Sequence, residues 1–237
     1  SGCNFRLAKK DLLVVFLLSL LRATTSFSLL IAYQNIATGV ASTIHFMYPL
    51  AVSLAMMFFF HEKKSLLVML AVLMSLFGAA LLSSGELEAK SGDTIVGLVA
   101  ACISVFSYGG YIIGVRTTRA AQINSTVLTC YVMGMGAVFY LIGAMATSGL
   151  HLVTDGYIWL IILGLALPAT AISNITLVRA IKYAGPTLTS ILGAMEPLTA
   201  VVIGVFVFKE LFTLNSAIGI LLILLAVGMV VFRKQKS

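Results

Sequence analysis

Met195-Glu196-Pro197-Leu198, followed thirteen residues after its proline by Glu210, has an earlier counterpart in Met47-Tyr48-Pro49-Leu50 with Glu62. Subtracting 148 from each later number gives the earlier one. The same ungapped offset pairs Leu29 with Leu177, Ala32 with Ala180, Ser42 with Ser190, Phe58 with Phe206, Phe60 with Phe208 and Leu66 with Leu214. Ten identities therefore fall between positions 29 and 66, where an apolar composition alone gives roughly three or four. This is the mark of an internal duplication, and it has to be settled before any fold assignment.

Composition states what kind of molecule was duplicated. The chain is 60% apolar and only 10% charged, with a mean hydropathy of +1.10, whereas soluble domains carry about 25% charged residues. Eight runs of roughly 19 to 23 mostly apolar residues are each long enough to cross a hydrocarbon core of about 30 Å. Alternation of period two is absent, which argues against a lipid-facing β-barrel. The expected helices are 12–32, 40–60, 66–84, 95–115, 126–147, 156–178, 187–208 and 214–232.

The formal charge of +7 does not indicate nucleic acid, because the basic residues sit in short connections between helices. They report orientation instead. The N-terminal cluster, Lys63/Lys64, Arg116/Arg119, Arg179/Lys182 and the tail hold twelve of the fifteen Lys and Arg; Lys90 and Lys209 lie on the opposite side, and Arg22 is inside a helix. Both ends of the chain are therefore expected in the cytoplasm and the 85–94 loop outside. Cys3, Cys102 and Cys130 are far apart, with no CxxC or histidine-containing metal spacing, so a structural role is expected and neither metal nor cofactor is implied.

The segment from Ile95 to the tail contains five helices, an odd number. Successive copies then enter the membrane in opposite directions, giving an inverted-topology repeat of a kind frequent in secondary transporters. The expected fold is an all-α integral membrane protein with eight transmembrane helices. Residues 1–85 are the last three helices of a first repeat, 86–94 an external loop, and 95–237 a complete second repeat. Because 95 minus 148 is −53, about 55 residues with two further helices are expected before Ser1; a natural eight-helix protein is the alternative.

These segments resemble the drug/metabolite transporter superfamily, specifically the EamA-type branch of ten-helix proteins made of two five-helix repeats. The likeness rests on the Pro-Leu segments ending in glutamate at Pro49 to Glu62 and Pro197 to Glu210, the run Leu192 to Glu210 being the most typical. The resemblance implies a bacterial inner-membrane exporter or importer of small metabolites that works by alternating access without ATP. The chain departs from that pattern in lacking the first two helices, and the first of these helps to line the family's central cavity.

Polar residues deep in the apolar spans are the candidate site. Arg22 lies about ten residues into its helix, where an unpaired cation costs about 2.5–3.5 kcal/mol; it faces a cavity or snorkels. Glu196 sits at a similar depth, so the two are expected to share the cavity. Glu196 is a candidate for proton exchange or, when protonated, for a packing hydrogen bond. The 148 offset relates Arg22 to Thr170, Ser26 to Asn174, His45 to Gly193 and Tyr48 to Glu196, each pair of neighbours falling on one helix face. Ser104, Tyr108 and Tyr111 form another stripe, with interfacial anchoring the competing reading for Tyr111. Pro49 and Pro197 are expected to kink their helices beside the cavity. Glu62 and Glu210, each followed by a hydroxyl residue suited to capping the next helix, Ser65 or Thr213, are expected to fasten hairpins.

The function expected is secondary transport of a small polar or amphipathic metabolite such as an amino acid. The partners are that small molecule and the lipid bilayer, with proton coupling a candidate, no nucleic acid and no inference of oligomeric state. A transport-incompetent fragment or membrane scaffold of the same fold is the alternative. An enzyme is not expected, since His45, His61 and His151 lie at different depths with no catalytic spacing.

Overall fold

A computed structural model of the chain describes residues 7–62, 65–83, 92–146, 155–193, 195–207 and 213–235. Among these residues every regular element is helical. The elements are α1 (Lys9–Asn35), α2 (Thr38–His45), α3 (Tyr48–Phe59), α4 (Leu66–Ser83), α5 (Thr94–Thr117), α6 (Ser125–Ala146), α7 (Gly156–Gly164), α8 (Ser173–Ala184), α9 (Pro186–Leu192), α10 (Met195–Val207) and α11 (Leu214–Gln235).

Five spans are long and apolar enough to cross a membrane: Lys9–Asn35, Thr38–Phe59, Thr94–Thr117, Ser125–Met145 and Gly156–Ala184. Leu66–Leu81 and Ala217–Met229 are shorter apolar helices. With α9 and α10 as the remaining span, these correspond in order to the eight expected from sequence. Of the loop expected at 86–94, only 92–94 fall among the described residues, and Glu210 and His151 lie outside them.

Two of the eight expected helices are not continuous. The span expected at 40–60 is divided into α2 and α3 by the turn at Phe46-Met47, and the span expected at 187–208 into α9 and α10 at Gly193. Pro49 follows the first interruption by two residues and Pro197 the second by four. They occupy the first turn of the second half-helix, where a missing N–H leaves no intrahelical bond unmade and the fixed φ favours helix initiation. The turns carry backbone bonds from Met47 N–H to the Ile44 carbonyl at 2.9 Å and from Glu196 N–H to the Gly193 carbonyl at 2.9 Å.

The chain divides into two compact units, residues 1–23 with 114–185 and residues 24–113 with 186–237. In the second, α4 packs along α11, and Gly78 lies so close to the Gly219 carbonyl that a Cβ there would stand 2.8 Å from it. Ala71, Val72, Ile191 and Ala226 form one buried cluster of this unit. Ala32, Ile36, Ala41, Ala100 and Ala101 form another, small side chains that let α1, α2 and α5 approach closely. Asp93 caps α5 by accepting from Ile95 N–H at 2.9 Å and Val96 N–H at 3.2 Å, and its own N–H donates to the Asn35 side chain at 3.0 Å.

In the first unit, Phe16 meets Phe139 edge to face with centroids 5.7 Å apart, and Asp11 pairs with Arg119 at 2.8 Å. Gly114 leaves room for Leu18, while Gly134 and Gly136 have no heavy atom within 4 Å of an added Cβ among the described residues. Arg179 and Lys182, expected in a connection, lie instead in the last turns of α8. The helix runs on until Gly185, whose φ of +92° and ψ of 162° admit only glycine, and Pro186 follows as the start of α9. The Lys182 ammonium donates to the Ile123 carbonyl and the Arg116 guanidinium to the Lys182 carbonyl.

Between α7 and α8 the helix widens to a π-helix over Leu165–Ile172 with Pro168 inside it. Proline offers no N–H to the ladder, and widening the register is one way a helix passes it. The Thr170 hydroxyl donates five residues back to the Leu165 carbonyl at 2.9 Å.

Candidate functional site

The densest polar and aromatic cluster of the second unit forms where α2 ends and α3 begins. His45 closes α2 and Tyr48 opens α3, so the break in the helix places both side chains at one level. From α5, Ser104, Tyr108 and Tyr111 present the stripe that their four- and three-residue spacing requires. All three are buried, as is Tyr48. Tyr111 is fully buried, at 0% exposure, which decides against interfacial anchoring.

Aromatic contacts bind the cluster together. The His45 ring centroid lies 5.6 Å from that of Tyr48 and 5.5 Å from that of Tyr108. Tyr48 and Tyr108 meet edge to face at 4.7 Å, and Tyr108 stacks on Tyr111 at 6.4 Å with planes 11° apart. These are separations of rings in contact.

Hydrogen bonds tie the histidine to α5. Ser104 Oγ donates to the Ala101 carbonyl at 2.6 Å and lies 2.9 Å from His45 Nδ1.

Across the break, Tyr48 meets the residue that follows α9. A Cβ built on Gly193 would stand 1.7 Å from the Tyr48 hydroxyl and 3.0 Å from Cζ. The phenol thus fills the volume that any other residue at 193 would claim. Glu196, three residues on, opens α10 with an exposed side chain, and Tyr48 is within its electrostatic reach.

Of the ten side chains marked in the sequence, His45, Tyr48, Ser104, Tyr108 and Tyr111 come together, with Glu196 close by. Ser26 is half-buried on α1 within the same unit. Arg22, Thr170 and Asn174 belong to the other unit, where Arg22 is half-buried. There the Asn174 amide donates to the Thr170 carbonyl at 2.7 Å, which joins the expected i,i+4 pair, and its buried Oδ1 has no hydrogen-bond partner among the described residues.

The terminal glutamate of the first motif behaves differently from a hairpin fastener. Ser65 accepts from Val68 N–H at 3.4 Å and caps α4 as expected. Glu62, however, accepts from the Thr187 hydroxyl at 2.6 Å, reaching α9 of the second copy. Sequence spacing gave no sign of that partner, and Gly193 was noticed only as the counterpart of His45. The π-helix was missed as well, although Pro168 in the middle of an apolar run was a usable signal.

Apolar helices long enough to cross a membrane, with polar and aromatic side chains gathered at a break in one of them, mark a multi-pass helical membrane protein. Residues 95–232 match the EamA-like transporter family. The chain belongs to that family, within the drug/metabolite transporter superfamily. A crystal structure of another protein superposes with a TM-score of 0.81 at 18% identity, covering 98% of this chain and 80% of the other. No curated protein matches the sequence.

Proposed function

We propose that this chain is a secondary transporter, working as an exporter, of a small polar or amphipathic metabolite such as an amino acid, by alternating access. The observation that carries the reading is the pair of helix interruptions at Phe46-Met47 and at Gly193, within a residue or two of one repeat interval apart, with Tyr48 beside the first seated on Gly193 of the second. Half-helices broken at corresponding positions of two repeats are where transporters of this architecture hold substrate, because the interrupted backbone supplies polar groups at membrane depth.

In this reading His45, Tyr48, Ser104, Tyr108, Tyr111 and Glu196 contact substrate, with Ser26 beside them on the same unit. The tyrosines supply aromatic area and hydroxyls, and the carboxylate supplies a partner for an amine. Proton exchange is assigned to Glu196. In the other unit the same reading marks Arg22, Thr170 and Asn174. The chain is placed in a bacterial inner membrane with both ends cytoplasmic.

Flux of a panel of labelled amino acids into vesicles containing the purified protein is the test. Tyr108→Ala should lower flux at least tenfold, and Glu196→Gln should alter flux or flatten its pH dependence. Wild-type flux at every pH in Glu196→Gln would remove the assigned proton role. Absence of flux for the whole panel in the wild-type protein would count against transport of this substrate class.

A further inference from the structure

His61 holds a φ of +54°, an uncommon conformation for a residue other than glycine. It turns the chain back after α3, so that Glu62 N–H bonds the Met56 carbonyl at 3.0 Å and the carboxylate points along α3 rather than onward toward α4. There it accepts from Thr187, the second residue of α9, over the short distance of 2.6 Å that an ionised acceptor favours. At the other end of the same two helices Tyr48, the first residue of α3, meets Gly193, which follows the last residue of α9. The pair runs antiparallel and is pinned at both ends.

The duplication supplies a comparison. Under the 148 offset Glu62 corresponds to Glu210 and Thr187 to Gly39, so the symmetry-related contact on the opposite side of the membrane would join Glu210 to Gly39. Glycine has no hydroxyl to donate. The Glu62–Thr187 bond therefore has no counterpart at position 39.

We propose that the Glu62–Thr187 bond is a one-sided latch, which holds α3 against α9 at the Glu62 end and biases the protein toward the state closed on that side. The inference rests on the alternating-access reading, since a latch matters only if the pair separates during the cycle. By the distribution of basic residues the latched side is the cytoplasmic one.

Ser53 provides a reporter. It lies in α3 between the two pins, fully buried, and its hydroxyl has no hydrogen-bond partner among the described residues, so cysteine is a mild replacement. With Cys3, Cys102 and Cys130 replaced by alanine, Ser53→Cys is placed in sealed vesicles and labelled with a membrane-impermeant maleimide from each side. Thr187→Val should raise the labelling rate from the Glu62 side about tenfold, the shift expected when a charge-assisted hydrogen bond is lost from one of two states. Thr187→Ser should restore the parent rate, which separates the hydroxyl from general packing.

Equal rates in parent, Val and Ser proteins, including no labelling in any of them, would overturn the latch. So would an equal rise from both sides, which would report loosened packing. Flux of the amino-acid panel measured in the same vesicles keeps the two readings apart: flux with unchanged labelling sinks the latch and leaves transport standing, whereas a one-sided, serine-rescued rise without flux supports the latch and counts against transport of that substrate class.

Discussion

At the scale of single residues, the Tyr48–Gly193 contact shows how far the two motif copies have diverged while remaining fitted to each other. His45 and Gly193 occupy equivalent positions, yet one fills space and the other vacates it. Gly193→Ala should drive the Tyr48 ring from its place and destabilise the protein by about 1–3 kcal/mol, the usual cost of overpacking a close contact. Because the nearest clash is with the hydroxyl, at 1.7 Å, adding Tyr48→Phe should recover part of that loss. A thermal-unfolding cycle over the two single variants and the double measures the coupling; strict additivity would contradict the contact.

Much of this cluster was legible beforehand. Helical spacing put Ser104, Tyr108 and Tyr111 on one face, and the offset singled out His45 and Tyr48. What spacing does not carry is direction across helices. The partner of Glu62 lies 125 positions away, and nothing in a hairpin-length window distinguishes a carboxylate that caps its own turn from one that reaches into another helix.

At the scale of elements, the expected positions of the eight spans agree with the helices to within a few residues at most ends, since apolar length and polar connections dominate where a helix can cross. The exceptions have local backbone causes. Proline removes a bond from the ladder, and each interruption falls just before one, at Phe46-Met47 ahead of Pro49 and at Gly193 ahead of Pro197. The span expected to stop at Val178 extends to Ala184 because Gly185 is the first residue able to leave it. Gly185→Ala forces a side chain into a conformation that costs about 1–3 kcal/mol. Its melting temperature should fall with the α8–α9 corner loosening first, which amide hydrogen exchange of residues 181–190 would show. Unchanged exchange there would mean that the corner tolerates another conformation.

At the scale of the whole molecule, what the chain can do is set by its solvent. Sixty per cent apolar residues and helices whose outward faces are rich in leucine, isoleucine and phenylalanine require lipid around them. The uneven distribution of lysine and arginine predicts an orientation with both ends cytoplasmic. A reporter enzyme active only in the cytoplasm, fused after Ser237, should be active, and one fused within the 85–94 loop should be silent. The reverse pattern would invert the assignment of the latched side along with both termini.

The seating of Tyr48 on Gly193 also bears on how the protein is made. These residues are separated by 145 positions, about 7–30 s of synthesis at ~5–20 residues per second. During that interval α3 enters the bilayer with its first side chain facing a neighbour not yet translated. The first copy's central half-helix is therefore a late-maturing part of an early-inserted segment, and the ribosome's arrival at the second motif is the earliest moment at which the first can be finished.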